Sequence, residues 1–509
     1  MSETIEASND ATVRLLRGDN VRIALRDLPA GAVLPEGIRL HAPVPAGHKI
    51  ALEAIARGGH VRKFGQIIGV ALADIAPGEH VHVHNLGMPS RGERLPAGQV
   101  ASGDTEPTGA TFEGFVREDG RVGTRNYIGV LTTVTCSGTV AQTIADEVER
   151  RGILADFPNI DGVVPIAHGT GCGMGRGLGM ELLQRTLWGY ASHPNMGGVL
   201  VVGLGCEVNQ LPLMMEAFGM TPGERMQVFN IQDLGGTRAT VEAGVAAIAA
   251  MAPGVNEARR ETRPASDLVL AVQCGGSDGF SGISANPALG RTSDFLVADG
   301  GTVILAETTE IYGADHLLRA RAVSEEVGVK LDELILWWED YVARNDGEID
   351  NNPTPGNKRG GLTTIVEKSL GAVAKGGTSP LVDVCRYAER PRNRGLIFMD
   401  SPGFDPCSIT GQIASGATVV CFTTGRGSTT GYKPSPCLKL ASNSAMFEKM
   451  KDDMDIDCGG VLTGRATLDD LGSQIYRRVL ETASGTETRS EALGYGRNEF
   501  VPWQIGAVV

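Results

Sequence analysis

The chain has 509 residues, 69 of them glycine, 42% hydrophobic residues and a formal net charge of −14. That much apolar content excludes a disordered chain, and glycine at about twice its usual ~7% share, without a collagen-like triplet, excludes a fibrous one. The acidic balance argues against a general nucleic-acid binder, which needs a basic face to neutralise phosphates, but leaves room for a small anion held by a local group of cations.

Taken from the N-terminus, VRIAL, KIAL, KFGQIIGVAL and HVHVHNL are short β-like runs cut by Pro/Gly turns. They predict a small β-rich domain over 1–87. Residues 88–111, rich in Pro, Gly, Ser and charge, read as a linker. From Phe112 apolar runs alternate with helix-length amphipathic segments, the βαβ pattern of a parallel sheet. This predicts one α/β domain over 112–255 and a second over 256–509. The longest apolar block, Met196 to Leu204, reads as a strand buried on both faces. No basic-then-apolar leader and no apolar run of ~18 residues occurs, so neither a signal peptide nor a membrane span is expected. Nine cysteines, an odd number without a C-x-x-C, suit a reduced cytoplasmic setting.

The glycines collect where strands end. AHGTGCGMGRGLG, GLGCE, QCGGSDGFSG, SPG and TTGRGSTTG each follow an apolar run, and ligands of open α/β sheets bind beyond such ends. Neither the GxGxxG spacing nor GxxxxGK[ST] is present, so nucleotide readings fail. Cys136, Cys172, Cys206 and Cys274 lie in or beside these loops. A single cysteine is most often a small buried hydrophobe; four such coincidences point to soft-metal ligands gathered from separate loops. His168 opens the longest glycine loop. Alternation places His80, His82 and His84 on one face of a strand, either a plain polar face or, with His48 of AGHK, a second ligand site at His48, His82 and His84. Arg125, Lys358, Arg359 and Arg426 are the strand-end cations suited to an anion. Glu307 and Glu310 follow a strand as a ligand or base pair.

The stretches FEGFVREDGRVGTRNYIGV, GLGCE, QCGGSDGFSGISANPALG, NPTPGNKRGG and TTGRGS resemble the altronate/galactarate dehydratase family of bacterial sugar-acid catabolism, and AGHK with GEHVHVHN resembles its SAF-type (β-clip) domain. The resemblance implies a small SAF domain followed by two Rossmann-like α/β domains with mainly parallel sheets. It implies a metal-dependent hydro-lyase that leaves a 2-keto-3-deoxy acid, with Fe2+ as cofactor and Mn2+ sometimes accepted. A metal and cations would stabilise the aci-carboxylate while a base takes the α proton. On this reading Cys136, Cys172, Cys206, Cys274 and His168 are metal candidates. Arg125, Asn126, Ser277, Asp278, Asn357, Lys358 and Arg426 hold substrate, and His168, Lys358 and Glu307 move protons. The thiol count raises an alternative cofactor, an iron–sulfur cluster on Cys136, Cys206 and Cys274. The family also contains a 3-sulfolactate sulfo-lyase, which is one alternative activity; a non-catalytic sugar-acid binder is another. A small anionic sugar acid is the expected partner, with no nucleic acid or membrane and a homodimer as the expected assembly.

Overall fold

The computed structural model describes residues 6–9, 11–90, 96–98 and 105–506; much of the linker expected over 88–111 lies outside them. The N-terminal unit is two small antiparallel sheets. One runs in the order Glu6–Asn9, Thr12–Arg14, Val21–Ala24, Lys49–Ala51, His80–Val81, the other His60–Lys63, Gln66–Ala71, Leu86–Gly87. The HVHVH stretch is a strand only at His80–Val81. Beyond it Asn85 closes a turn, its side chain accepting the His82 N–H at 3.0 Å and its own N–H donating to the His82 carbonyl at 3.0 Å. Asparagine competes for backbone partners in this way and ends the strand.

The middle sheet is fully parallel, in the order Gly162–Ile166, Tyr127–Thr132, Met196–Gly203, Met226–Asn230. All eight residues of Met196–Gly203 are buried, as the uninterrupted apolar run requires when helices cover both faces. The third unit has a seven-stranded parallel sheet in the order Leu381–Cys385, Gly395–Met399, Thr302–Leu305, Val269–Cys274, Val419–Thr424, Cys437–Ala441, Ile456–Asp457. In both sheets the first strand of the parallel set lies inside, and later strands add on either side of it. That reversal of strand order makes a crevice at the carboxyl ends of Tyr127–Thr132 and of Val269–Cys274.

The units are not separate beads. Leu182, Leu187 and Tyr190 of helix Leu178–Ala191 share one core with Ile409 and Ile413 of helix Asp405–Ala414. Gly189, near the end of the first helix, packs directly on Ala414 at the end of the second. The two helices therefore pack against each other and join the two parallel sheets through one core. Val61, Ile68 and Leu86 of the N-terminal unit likewise share a core with Ile365 and Leu370 of helix Ile365–Val373.

Candidate active site

Four segments meet at the carboxyl end of Val269–Cys274. Arg426 N–H donates to the Gly276 carbonyl at 2.9 Å. Asn357 Nδ2 donates to the Ser277 carbonyl at 2.8 Å. The AGHK loop docks on the same place: Gly361, held at a φ of +101°, abuts the Gly47 carbonyl with no room for a Cβ. Ser277 Oγ is buried here without a hydrogen-bond partner, and Arg426 is exposed. Lys358, half-buried, lies in the short helix Pro355–Arg359 between them and the histidines.

The histidine protonation pattern follows from what each ring touches. His48 Nε2 lies 3.1 Å from the Arg359 carbonyl and His82 Nε2 lies 2.9 Å from the Lys358 carbonyl. A carbonyl only accepts, so both nitrogens carry their protons. His48 Nδ1 is then a lone pair, which accepts from His80 Nε2 at 3.0 Å. His80 and His82 are left with Nδ1 lone pairs. Burial, then the neighbouring His48 and His82, pushes His80 down to about 3, and burial pushes His82 down to about 4. Both rings are neutral proton acceptors at neutral pH. His48 stacks on His82 at 4.8 Å and His84 lies 5.5 Å from His80. The set is thus His48, His80, His82 and His84, with His80 as the bridge that the ligand set His48, His82 and His84 lacks.

Beneath this surface lie two buried charge networks. Lys49 and Lys63, both from the N-terminal unit, flank Glu367 at 2.8 and 3.0 Å, and Thr363 donates to the same carboxylate through N–H and Oγ1. Burial alone would raise the Glu367 pKa, but the two ammoniums more than offset it and hold the carboxyl well below its usual range. Burial lowers Lys49 to about 8 despite Glu367. The second network holds Cys274, Glu307 and Glu310, whose donor atoms lie within 4.8 Å of one another. Glu307 has a φ of 74°, a strained backbone for a non-glycine residue, and neither carboxylate oxygen has a hydrogen-bond partner. Burial first and Glu310 second raise its pKa well above the ordinary value. Burial and Glu310 also raise Asp405, to about 7; its carboxylate sits where a side chain on Gly275 would be.

Does the Cys274 group fit a metal? Lys375 Nζ donates to Cys274 Sγ at 3.0 Å and lies 3.7 Å from Glu307, while Lys368 bonds Glu310 at 2.6 Å. Two ammoniums already supply the positive charge an ion would bring, and all three donors are fully buried. The residues fit a closed proton-holding network, not a metal with an open coordination position.

Other expectations are corrected. Arg125 spends all five donors inside the protein: two on Glu491 at 2.7 and 2.8 Å, the rest on the carbonyls of Thr124, Thr482 and Thr486. Asn126 bonds the carbonyls of Asn159 and Val255 and accepts from Arg117. Asp278 accepts from Phe280 N–H, from Ser281 N–H and Oγ, from Ser442 and from Asn443. Asn357 caps its own helix through Thr354 while tethering the Ser277 loop. In this structure these four side chains are engaged within the protein and position loops. His168 Nε2 lies 3.0 Å from the Thr132 carbonyl and its Nδ1 accepts from Thr170 N–H at 3.3 Å. Both ring nitrogens are thus engaged by backbone groups, and burial lowers it to about 4. Cys274 ends a strand of the seven-stranded sheet and is buried, whereas Cys136, Cys172 and Cys206 follow strands of the middle sheet and are exposed.

Sequence reading missed Lys49, Lys63, Glu367, Lys368, Lys375 and Asp405. One signal was available: Lys368 and Lys375 stand two helical turns apart in VEKSLGAVAK, a segment otherwise too apolar for a solvated face.

Family models match all three units: the altronate/galactarate dehydratase SAF domain over 10–89, the D-galactarate dehydratase/altronate hydrolase second domain over 114–256, and the D-galactarate/altronate dehydratase C-terminal domain over 265–508. A galactarate dehydratase (L-threo-forming) of Escherichia coli is 39% identical, covering 92% of this chain and 91% of its own. An altronate dehydratase of Bacillus subtilis is 36% identical over 96% and 97%. The (2R)-sulfolactate sulfo-lyase subunit beta of Chromohalobacter salexigens is 33% identical over 78% and 98%. Similarity of this extent, running through both parallel sheets and the histidine-bearing unit that caps one of them, makes the chain a member of the altronate/galactarate dehydratase family.

Proposed function

We propose that the chain is a hydro-lyase that removes water from a sugar acid of the galactarate or altronate type and leaves a 2-keto-3-deoxy acid. The observation that carries this is the junction at the end of Val269–Cys274. There a cation (Arg426), an unpartnered hydroxyl (Ser277) and glycine backbone form an anion seat, capped by neutral histidines from another unit. Arg426, exposed beside Gly276, is the group to hold the substrate carboxylate, and charge that develops there on loss of the α proton is met by a preorganised cation. His82, with its Nδ1 lone pair and with Lys358 beside it, is the proton acceptor. Glu307, enclosed beside Cys274, Glu310 and Lys375 and with its pKa raised by burial and by Glu310, belongs to the charge network behind the seat.

The cofactor implied is iron. The Cys274 set is already engaged by Lys375 and Lys368, which leaves the exposed thiols Cys136, Cys172 and Cys206 as the sulfur donors free to hold it. Iron held there would supply a Lewis-acid position for carboxylate and hydroxyl. Manganese, a harder ion, matches an all-sulfur rim less well. Nine free thiols, three of them exposed, favour a reducing cytoplasm. Among the described residues no helix is long and apolar enough to cross a membrane.

Sulfite elimination is the weaker reading. The full-length similarity, N-terminal unit included, is to dehydratases, whereas the sulfolactate relative is one subunit matching 78% of this chain. The test is an anaerobic panel of galactarate, altronate and 3-sulfolactate with Fe2+. A 2-keto-3-deoxy acid is expected from one of the two sugar acids. Sulfite release without keto acid from either sugar acid overturns the reading.

A further inference from the structure

A cavity of about 270 Å³ lies at the other end of the seven-stranded sheet. Val269, Thr302 and Thr418 bound it, at or beside the amino ends of the adjacent strands Val269–Cys274, Thr302–Leu305 and Val419–Thr424. Pro194 lines it from the middle unit, and Arg121 from the turn between strands Thr111–Val116 and Val122–Gly123. Arg390, Arg392 and Arg394, alternate residues of one short loop, line it from the seven-stranded unit. The chain as a whole is acidic, at −14, yet four arginines meet on this one cavity. Their counter-charges fall short. Asp119 takes the fork of Arg121 at 2.7 and 2.5 Å. Asp267 is held by Arg263 at 2.8 and 3.0 Å, and Arg394 reaches it at 3.3 Å. Arg390 donates to the neutral Ser192 Oγ at 3.1 Å, and Arg392 has no ion pair or hydrogen bond among the described residues. Burial and then Arg121 hold the Arg390 guanidinium below its usual value. Burial first, with Arg121 and Arg390 adding to it, lowers His193 beside Pro194 to about 3. The cations thus act on one another and on the cavity wall.

We propose that this cavity binds a compact polyanion, a phosphate ester or a dicarboxylate, at a site remote from the anion seat. A guanidinium offers parallel N–H bonds that match the edge of a phosphate or carboxylate, and the loop at Arg390, Arg392 and Arg394 presents three of them with little to hold. A neutral ligand would leave their surplus charge unmatched. The cavity is also smaller than the ~300–1,000 Å³ of ordinary organic-ligand pockets, which suits a compact ion. Its place separates it from the reaction. Val269–Cys274 and Val419–Thr424 begin at the cavity, and the loops that follow them carry the seat. Six extended residues at ~3.3 Å each put about 20 Å between the two sites. An anion here meets Arg121 on one side of the junction and the Arg390–Arg394 loop on the other, adding to the bond from Arg390 to Ser192. It therefore ties the two units together and stabilises the folded chain by mass action. None of this rests on the dehydratase reading.

The test is calorimetric titration of the full-length protein in low-salt buffer with 2-phosphoglycolate and with malonate, alongside thermal unfolding with each. Binding of at least one is expected, with a rise in the thermal midpoint. Binding of 2-phosphoglycolate alone marks a phosphate-ester site; binding of malonate marks a dicarboxylate site. Replacing Arg390, Arg392 and Arg394 together by Gln should weaken binding about tenfold or more and remove the rise, while the circular dichroism and the anion-free midpoint stay as in wild type. Arg392→Gln alone, which breaks no contact within the protein, should weaken binding in the same direction and serves if the triple variant is unstable. Arg426→Gln, at the seat, should leave binding unchanged. The control removes the same charge from the exposed Arg26, Arg57 and Arg477 and should leave most of the affinity. The proposal is overturned if wild type binds neither anion, if binding is lost in Arg426→Gln and kept in the triple variant, or if the control loses as much as the triple variant.

Discussion

The two parallel sheets obey one topological rule and finish it in opposite ways. Each has its first strand inside, with later strands on both sides, and each has a cysteine at or beyond the end of that strand, Cys136 in one sheet and Cys274 in the other. The edge of the seven-stranded sheet is filled and capped: Cys274, Glu307, Glu310, Lys368 and Lys375 are enclosed, and the N-terminal unit lends Lys49 and Lys63 from above. The middle edge is more open: its loops are laced by hydrogen bonds, three of them to the buried Glu207 carboxylate, and its three thiols are exposed. Burial makes the difference. Enclosed charges must be compensated pair by pair, which uses up their donors for each other; exposed sulfurs keep theirs for something that arrives.

The largest expected effect breaks the filled edge. Glu367→Gln leaves the ammoniums of Lys49 and Lys63 buried without a carboxylate. Removing one partner of a buried ion pair costs about 3–5 kcal/mol, and this loss should appear in urea unfolding at pH 7. The thiol rim gives the contrast: labelling of Cys136, Cys172 and Cys206 in the folded apo-protein should be unchanged. A loss under about 1 kcal/mol would mean that water reaches Lys49, Lys63 and residue 367 and that the two edges do not differ in the way described.

A middle-sized effect sharpens the account of the open edge, where His168 is neutral in the folded chain. Burial lowers it to about 4, against ~6.5 when unfolded. As pH falls from about 6.5 toward 4, the unfolded chain takes up a proton that the folded chain refuses, so the stability this neutral ring allows is lost on acidification. The slope approaches about 1.4 kcal/mol per pH unit for this one group. His168→Gln should flatten the wild-type acid limb by that amount in urea titrations between pH 6 and 4.5. Equal slopes in the two proteins would mean that the ring is protonated in the fold and that its contact with Thr170 is wrong.

Much of the strand-end architecture was legible because apolar runs and glycine clusters are local patterns. Met196–Gly203, the glycine loops and the β-rich N-terminal unit follow directly from them. What was not legible is long-range pairing. Arg125 looks like a free strand-end cation until Glu491, 366 residues later, is placed against it. Lys49 meets Glu367 across 318 residues. Cys136, Cys172, Cys206 and Cys274 look alike in sequence, since each simply follows an apolar strand; the sheet to which each strand belongs is what separates Cys274 from the other three. The surroundings of His168 were illegible for a different reason: its ring meets backbone groups of Thr132 and Thr170, which carry no side-chain signature.

The smallest effect is the most discriminating, because it compares two buried glutamates in the same capped region. Glu367 is held below its usual range, so its contribution is present at neutral pH and lost as pH falls. Glu307 is held above its ordinary value by burial and by Glu310. The folded chain there keeps a proton that the unfolded chain gives up near ~4.3, so its contribution is full in acid and is lost as pH rises. Glu307→Gln, a neutral group of the same shape, should therefore match wild type within about 1 kcal/mol near pH 4. It should gain on wild type as pH increases, whereas Glu367→Gln should fall further behind over the same range. Opposite signs in one pair of urea titrations require one carboxyl to be an ion and the other an acid. A Glu307→Gln loss at pH 7 as large as that of Glu367→Gln would make Glu307 the ionised partner of Lys375, and the network under Gly275 would hold charge where it is here assigned a proton.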